Sequence, residues 1–273
     1  PIESGRYPAY APAPIDEVVA AIRSEKPDLV FAPHVETAAG MILPEDYIKA
    51  LANAVHEHGG MMVLDCIASG TLWVDMQVCS VDVLISAPQK GWSGSPCAGL
   101  VMLSPLASEP LADSTSTSFS CDLKNWHDIM AAYDKRGHAY HATMPTDGLK
   151  AFVEVMRETQ QMGFSKARAA QEELGVKVRE LLVSQGIKSL AARGFEAPSV
   201  VVSYTDDSGM QSGKKVAAPG IQIDAGVPLQ WDEAEDFQTF RIGLFGWDKL
   251  QNIDRTVTSL AEALNKMSLE VLT

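Results

Sequence analysis

Residues 61–104 read MMVLDCIASGTLWVDMQVCSVDVLISAPQKGWSGSPCAGLVMLS, and their pattern decides the fold. Residues 61–64 are a short apolar run that ends on Asp65. Residues 81–85 are a second run, followed by Ser86-Ala87-Pro88-Gln89-Lys90. Residues 99–103 are a third. Runs this short and this apolar read as fully buried strands. An ionisable side chain at the tip of a buried strand is costly unless it has a partner. Here two of opposite charge, Asp65 and Lys90, stand at the ends of successive strands.

Upstream, residues 1–14 are rich in Pro and Tyr and read as extended loop. In residues 15–26, Ile15, Val18, Val19 and Ile22 recur as the apolar face of a helix. Residues 29–32 read as a buried strand. Residues 44–58 read as a helix with Pro in its first turn and Gly59-Gly60 at its end. Strand, helix, strand with a conventional crossover predicts parallel strands, with any ligand outside their carboxyl ends. The polar residues of interest fall at those ends.

Downstream, residues 114–120 form a Ser/Thr-rich loop, and 122–135 read as a helix. Thr146 is the expected cap of a helix over 147–162. A further helix over 165–185 would bury Leu174, Val176, Val178, Leu181 and Leu182 on one face. The remainder reads as a smaller α+β unit. It has strands at 199–204, 221–223 and 240–244, a short helix at 209–217 and a closing helix at 252–269. Lys214 and Lys215 read as solvated charges.

The chain has 22 basic and 35 acidic residues, a net charge of −13, which argues against nucleic acid and anionic membranes as partners. No apolar run reaches transmembrane length, and the opening residues lack a signal-peptide pattern. Cys66, Cys79, Cys97 and Cys121 show neither CxxC spacing nor a secreted framework. Reduced thiols in a cytoplasmic protein are expected. No metal is expected. At 273 residues there is room for one large α/β domain and a small one.

Asp65 and Lys90 together suit one cofactor. Pyridoxal phosphate needs a lysine amine for its Schiff base, and a carboxylate to keep its pyridine nitrogen protonated. Taken singly, such an Asp also serves as a turn former and such a Lys as a surface charge. Arg241, in Thr239-Phe240-Arg241-Ile242-Gly243-Leu244-Phe245-Gly246, lies inside an apolar strand. A guanidinium fork there suits a carboxylate, either a substrate's or that of a structural ion pair.

These segments resemble the class V aminotransferase family, and within it the alanine/serine–glyoxylate aminotransferase branch. The strand-end Asp65 and Gln89-Lys90 carry the resemblance first, although Ala87 and Pro88 stand where the family usually has Gly and Ser. Pro33-His34-Val35-Glu36-Thr37-Ala38-Ala39-Gly40 is similar to the family's His-x-Glu-Thr/Ser-x-x-Gly stretch. Tyr140-His141-Ala142-Thr143-Met144-Pro145 is similar to its Tyr-His-x-Thr-x-Pro signature. Gln89, where a desulfurase would have His, separates the two branches. The matches run from about residue 29 to 256. The family's earlier portion, with a Gly-rich phosphate loop and a ring-stacking aromatic residue, has no counterpart in this sequence.

The resemblance implies a PLP-dependent transferase fold type I, of class α/β. A mainly parallel large domain would span 1–146, incomplete at its N-terminus, and a C-terminal α+β domain 147–273. It implies an aminotransferase that passes an amino group from a small amino acid to a 2-oxo acid such as glyoxylate or pyruvate. Pyridoxal 5'-phosphate would be bound through a Lys90 Schiff base, with Asp65 on the ring nitrogen. Thr37 would approach the phenolic oxygen, Ile67 would pack on the ring and Gln89 would donate to the phosphate. Tyr140 and Thr143 would reach the phosphate of the neighbouring subunit in a homodimer. Arg241 would hold the substrate carboxylate. Glu36 would brace its loop or the dimer, and His34 would be structural. A PLP-dependent lyase, or a non-catalytic fragment or partner subunit on the same scaffold, stays open as the alternative.

Overall fold

The computed structural model describes residues 1–2 and 4–270. In chain order, α1 (Ile15–Glu25) precedes β1 (Leu29–Pro33) and two very short strands, β2 (Val35–Glu36) and β3 (Met41–Ile42). Then come α2 (Glu45–His56), β4 (Met61–Asp65), α3 (Met76–Cys79), β5 (Val83–Ser86) and β6 (Leu100–Leu103). Helices α4 (Pro105–Leu111), α5 (Leu123–Asp134), α6 (Thr146–Met162) and α7 (Phe164–Ser184) follow. Strand β7 (Val200–Tyr204), helices α8 (Ser208–Gln211) and α9 (Lys214–Ala217), and strands β8 (Asp224–Ala225) and β9 (Thr239–Gly243) build a second unit. It is closed by α10 (Trp247–Gln251) and α11 (Ile253–Glu270).

The first sheet has the order β1-β4-β5-β6. Its first three strands are parallel, as the strand–helix–strand pattern predicts. The third apolar run returns antiparallel as β6, which the short connection from Lys90 permits and a helical crossover would not. Helix α2 follows Pro44 and opens on Glu45 and Asp46, which suit the positive end of its dipole. Its apolar stripe, Ile48, Leu51, Ala52 and Val55, packs on Met62 and Leu64 of β4 and Leu84 of β5. Asp82 fastens this core at the other end of the strands. Its carboxylate accepts from the Met62 N–H at 2.8 Å, shares a 2.7 Å hydrogen bond with His56 Nε2, and accepts from Ser104 Oγ at 3.2 Å.

Among the described residues, only one face of β1 is covered. Ala32 joins the core, but Leu29 is 44% and Phe31 66% exposed, so the strand is not buried on both sides as expected. The physical reason is alternation: α1 and α2 pack on one face only, and odd-numbered side chains of β1 point the other way.

The second sheet, β7-β9-β8, is antiparallel. Helices α7 and α11 cover it through Leu174, Val178, Leu182, Leu260 and Leu264. Val176 is not on that face; it is 55% exposed, because two residues turn a helix by more than half a revolution. Thr146 is the first residue of α6 rather than its cap, and Pro145 precedes it with no side-chain cap. The helix expected over 209–217 is broken by Gly213, whose φ of +73° interrupts it. The strand expected at 221–223 forms instead at Asp224–Ala225, where it pairs with Phe240 and Arg241. Lys215 is not simply solvated, since it pairs with Asp207 at 2.5 Å.

The opening residues are extended, as their composition suggests, but anchored. Tyr10 N–H donates to Leu190 O, Ala192 N–H donates to Tyr10 O, and Tyr204 donates its hydroxyl to Pro8 O. Among the described residues, no helix is long and apolar enough to cross a membrane.

Candidate active site

Register places Pro33, Asp65 and Ile85 side by side at the carboxyl edge of three parallel strands. The ladder runs one step further, with His34 N–H donating to Asp65 O and Cys66 N–H to Ile85 O, each at 2.8 Å. Asp65 therefore begins a turn at the sheet edge. Its Oδ1 accepts the Ile67 N–H at 2.8 Å, which orients the carboxylate. Among the described residues its Oδ2 has no hydrogen-bond partner and the side chain forms no ion pair. Ile67, half-buried, thus acts through its backbone on Asp65.

Lys90 lies in the turn that leaves β5. Pro88 O accepts from Gly94 N–H at 2.9 Å, and Lys90 O accepts from Ser93 N–H at 3.0 Å. This turn presses on the one after Asp65. A Cβ on Gly91 would fall 1.8 Å from Gly70 O, so only glycine allows the two backbones to approach. The rings of Trp73 and Trp92 pack at 4.5 Å, and Phe152 of α6 and Phe164 of α7 meet Trp92 edge-on. The Asp65 and Lys90 turns are therefore one rigid unit, clamped to the following helices.

No carboxylate lies within 4.0 Å of Lys90 Nζ among the described residues. Its recorded neighbour is the ring of Phe245, whose centroid is 5.1 Å away. Phe245 follows β9 of the second sheet, so that sheet reaches the sheet-edge lysine. Sequence reasoning missed this residue. A ring two positions beyond Arg-Ile-Gly carries no charge or spacing signal, and its contact is purely tertiary.

Arg241 lies on β9, half-buried. Its Nε donates to Ala225 O at 2.7 Å, which fixes the plane of the guanidinium. No ion pair occupies its fork among the described residues. Two nitrogens are left to grip a carboxylate bidentately.

Thr37 sits half-buried in the turn between β2 and β3, with no side-chain hydrogen bond among the described residues. Glu36 braces that turn, since its two oxygens accept from Ala38 N–H at 2.9 Å and Ala39 N–H at 2.7 Å. His34 is buried, and its Nδ1 shares a 2.7 Å hydrogen bond with Ser69 Oγ. Burial, and then the charge of Arg168, pulls the imidazole down to about 4, so it is neutral at ordinary pH. Burial pushes the Cys66 thiol, beside Asp65, up to about 12, which leaves it unreactive.

Gln89 is exposed beside Lys90 with no protein partner among the described residues. Tyr140 and Thr143 lie apart, in the loop between α5 and α6. Tyr140 is 72% exposed and its hydroxyl lies 3.3 Å from Thr143 Oγ1. Within the chain, no hydrogen bond or ring contact among the described residues joins them to Asp65, Lys90 or Arg241. Among the described residues, the turns after β2, β4 and β5 thus offer a hydroxyl without a partner, a carboxylate with one oxygen free and an amine without a counter-ion, a donor set that fits pyridoxal phosphate.

Residues 11–255 match the profile of the family described as aminotransferase class-V. A 2-aminoethylphosphonate–pyruvate transaminase of Burkholderia ambifaria is 25% identical over 97% of this chain and 68% of its own length. An alanine–glyoxylate aminotransferase of Oryctolagus cuniculus is 26% identical over 92% of this chain and 64% of its own. Among solved structures, the pyridoxamine–pyruvate aminotransferase of Mesorhizobium loti superposes with a TM-score of 0.78, at 18% identity, over 94% of this chain and 64% of that one. The alanine–glyoxylate aminotransferase of Nostoc sp. gives 0.75 at 21% identity, over 96% and 68%. The chain thus spans about two thirds of the length of the proteins it matches, and the structural likeness is one of fold.

Proposed function

The chain belongs to the class V aminotransferase family, and from that membership we propose that it moves an amino group from a small amino acid to a 2-oxo acid such as glyoxylate or pyruvate. One observation carries the reading. Lys90 and Asp65, opposite charges at the ends of adjacent parallel strands, have no ion-pair partner among the described residues, while the Arg241 fork stands open on the strand that brings Phe245 to Lys90.

Pyridoxal 5'-phosphate, when bound, supplies the electron sink that lets an amino acid lose its Cα proton. Lys90 would hold it covalently through Nζ, and Asp65 would keep a proton on its ring nitrogen. Thr37 would meet its phenolic oxygen, Ile67 its ring face and Gln89 its phosphate. Arg241 binds the substrate carboxylate through the nitrogens that Ala225 leaves free. That anchor fixes which substituent of Cα faces Lys90. Once displaced by the substrate amine, Lys90 Nζ would accept the Cα proton and pass it to the cofactor carbon that takes the amino group, rather than back to Cα. The two half-reactions alternate, so ping-pong kinetics follow. We assign residues 1–146 to a cofactor-binding unit and 147–273 to a substrate-anchoring one. The assembly proposed is a homodimer with Tyr140 and Thr143 on the partner's phosphate, in the cytoplasm.

The test is spectroscopic. Titrating the protein with pyridoxal phosphate should raise the visible band of a lysine-bound cofactor. Borohydride should then fix the label on the peptide containing Lys90. Lys90→Ala should lose both the label and turnover. A label on another lysine, or turnover retained in Lys90→Ala, would overturn the assignment.

A further inference from the structure

We propose that Phe245 is the seat of the Lys90 amine: its ring holds the charged Nζ in place whenever Lys90 is not bonded to a cofactor, and so positions it for reaction. The resting-place role depends on the amino-transfer reading; the contact itself does not.

Lys90 is half-buried, and no carboxylate lies within ion-pair distance among the described residues. A partly desolvated ammonium needs compensation. The ring face of Phe245, with its centroid 5.1 Å from Nζ, lies inside the range over which an aromatic quadrupole attracts a cation. Among the described residues that amine has no hydrogen bond or ion pair, so the ring is the contact that favours one position of its four-carbon stem.

The seat is itself fixed from three sides. Phe245 O accepts from Lys249 Nζ at 2.7 Å. Leu244, just before it, is buried; its N–H donates to Ser199 O at 2.9 Å and its carbonyl accepts from the fully buried Gln171 Nε2 at 3.2 Å. The ring lies back over Gly243, where an added Cβ would touch it at 3.4 Å. Arg241 lies four residues earlier, on β9 itself, so a short stretch of chain joins the substrate anchor to the lysine seat.

The experiment needs no cofactor. The full chain, freed of any pyridoxal phosphate, is labelled briefly with acetic anhydride. Modification of Lys90 is then read by mass spectrometry against exposed Lys26 in the same sample. In Phe245→Leu and Phe245→Met, which fill the space without a π face, Lys90 should label about two- to fivefold faster relative to Lys26, the factor a partly exposed cation–π contact corresponds to. Phe245→Trp should label no faster than the parent. Thermal melts confirm that each variant read is folded. Unchanged labelling in the aliphatic variants, or equally fast labelling in Phe245→Trp, overturns the proposal. Should the labelling follow prediction while pyridoxal phosphate gives no band with the parent, the seat stands and the amino-transfer reading falls.

Discussion

At the level of single residues, His34 sets a testable pH dependence. It is 5% exposed, and burial with the Arg168 charge lowers its imidazole to about 4. An unfolded histidine titrates near 6.5. Between those values the unfolded chain binds the extra proton, so stability rises with pH and is lost as pH falls. The loss should amount to something on the order of 3 kcal/mol from pH 7 to pH 4, flattening below, where both states are protonated. Denaturant melts of the parent and of His34→Gln at several pH values check this. The variant should lose clearly less stability on acidification, and parallel curves would rule the account out. At this scale the sequence reveals charge set in apolar surroundings. Asp65, Lys90 and Arg241 stand out because burial makes charge conspicuous, and Glu36 fulfils its expected loop-bracing role. Phe245 does not stand out, because a ring among apolar residues looks like any core residue.

Among the elements, the first sheet is asymmetric. Met62 and Leu64 are fully buried under α2, whereas Phe31, on the neighbouring strand's opposite face, is 66% exposed. Leu64→Ala should therefore cost about 2–5 kcal/mol through lost burial and a cavity. Phe31→Ser should stay within about 0.5 kcal/mol, since there is little burial to lose. Denaturant midpoints of the two variants test the contrast. A large loss from Phe31→Ser would show that this face is covered in solution. The same asymmetry explains what the sequence could not disclose about β1. An apolar run states that its residues avoid water, but not on which side a helix lies. Direction is similarly hidden: β6 reads like β5, and only the short return from Lys90 makes it antiparallel. Elements of one turn, such as α3 and α9, hold too few residues to show a period.

For the whole molecule, the open question is the loop of Tyr140 and Thr143. Both side chains are exposed and bond mainly to each other, at 3.3 Å. Phe119, Met130 and Tyr133 nearby in sequence are each more than half exposed as well, which is a large apolar surface for a chain to leave to water. If this surface meets a second copy, each Lys90 site draws its phosphate contacts from the neighbour's loop. Two inactive proteins should then complement each other. In a mixed dimer of Lys90→Ala with Tyr140→Phe/Thr143→Val, one site has both defects and the other has none. Random exchange of equal amounts makes half of the dimers mixed, so about a quarter of all sites should be intact. Activity, or borohydride-fixed label at Lys90, should recover to about that level on mixing. If instead each site used its own loop, every site in every dimer would carry one defect, and mixing would restore nothing. Sedimentation of the parent gives the companion reading. A monomer at working concentration would exclude sharing outright, and a dimer without complementation would place the loop in its own chain's site.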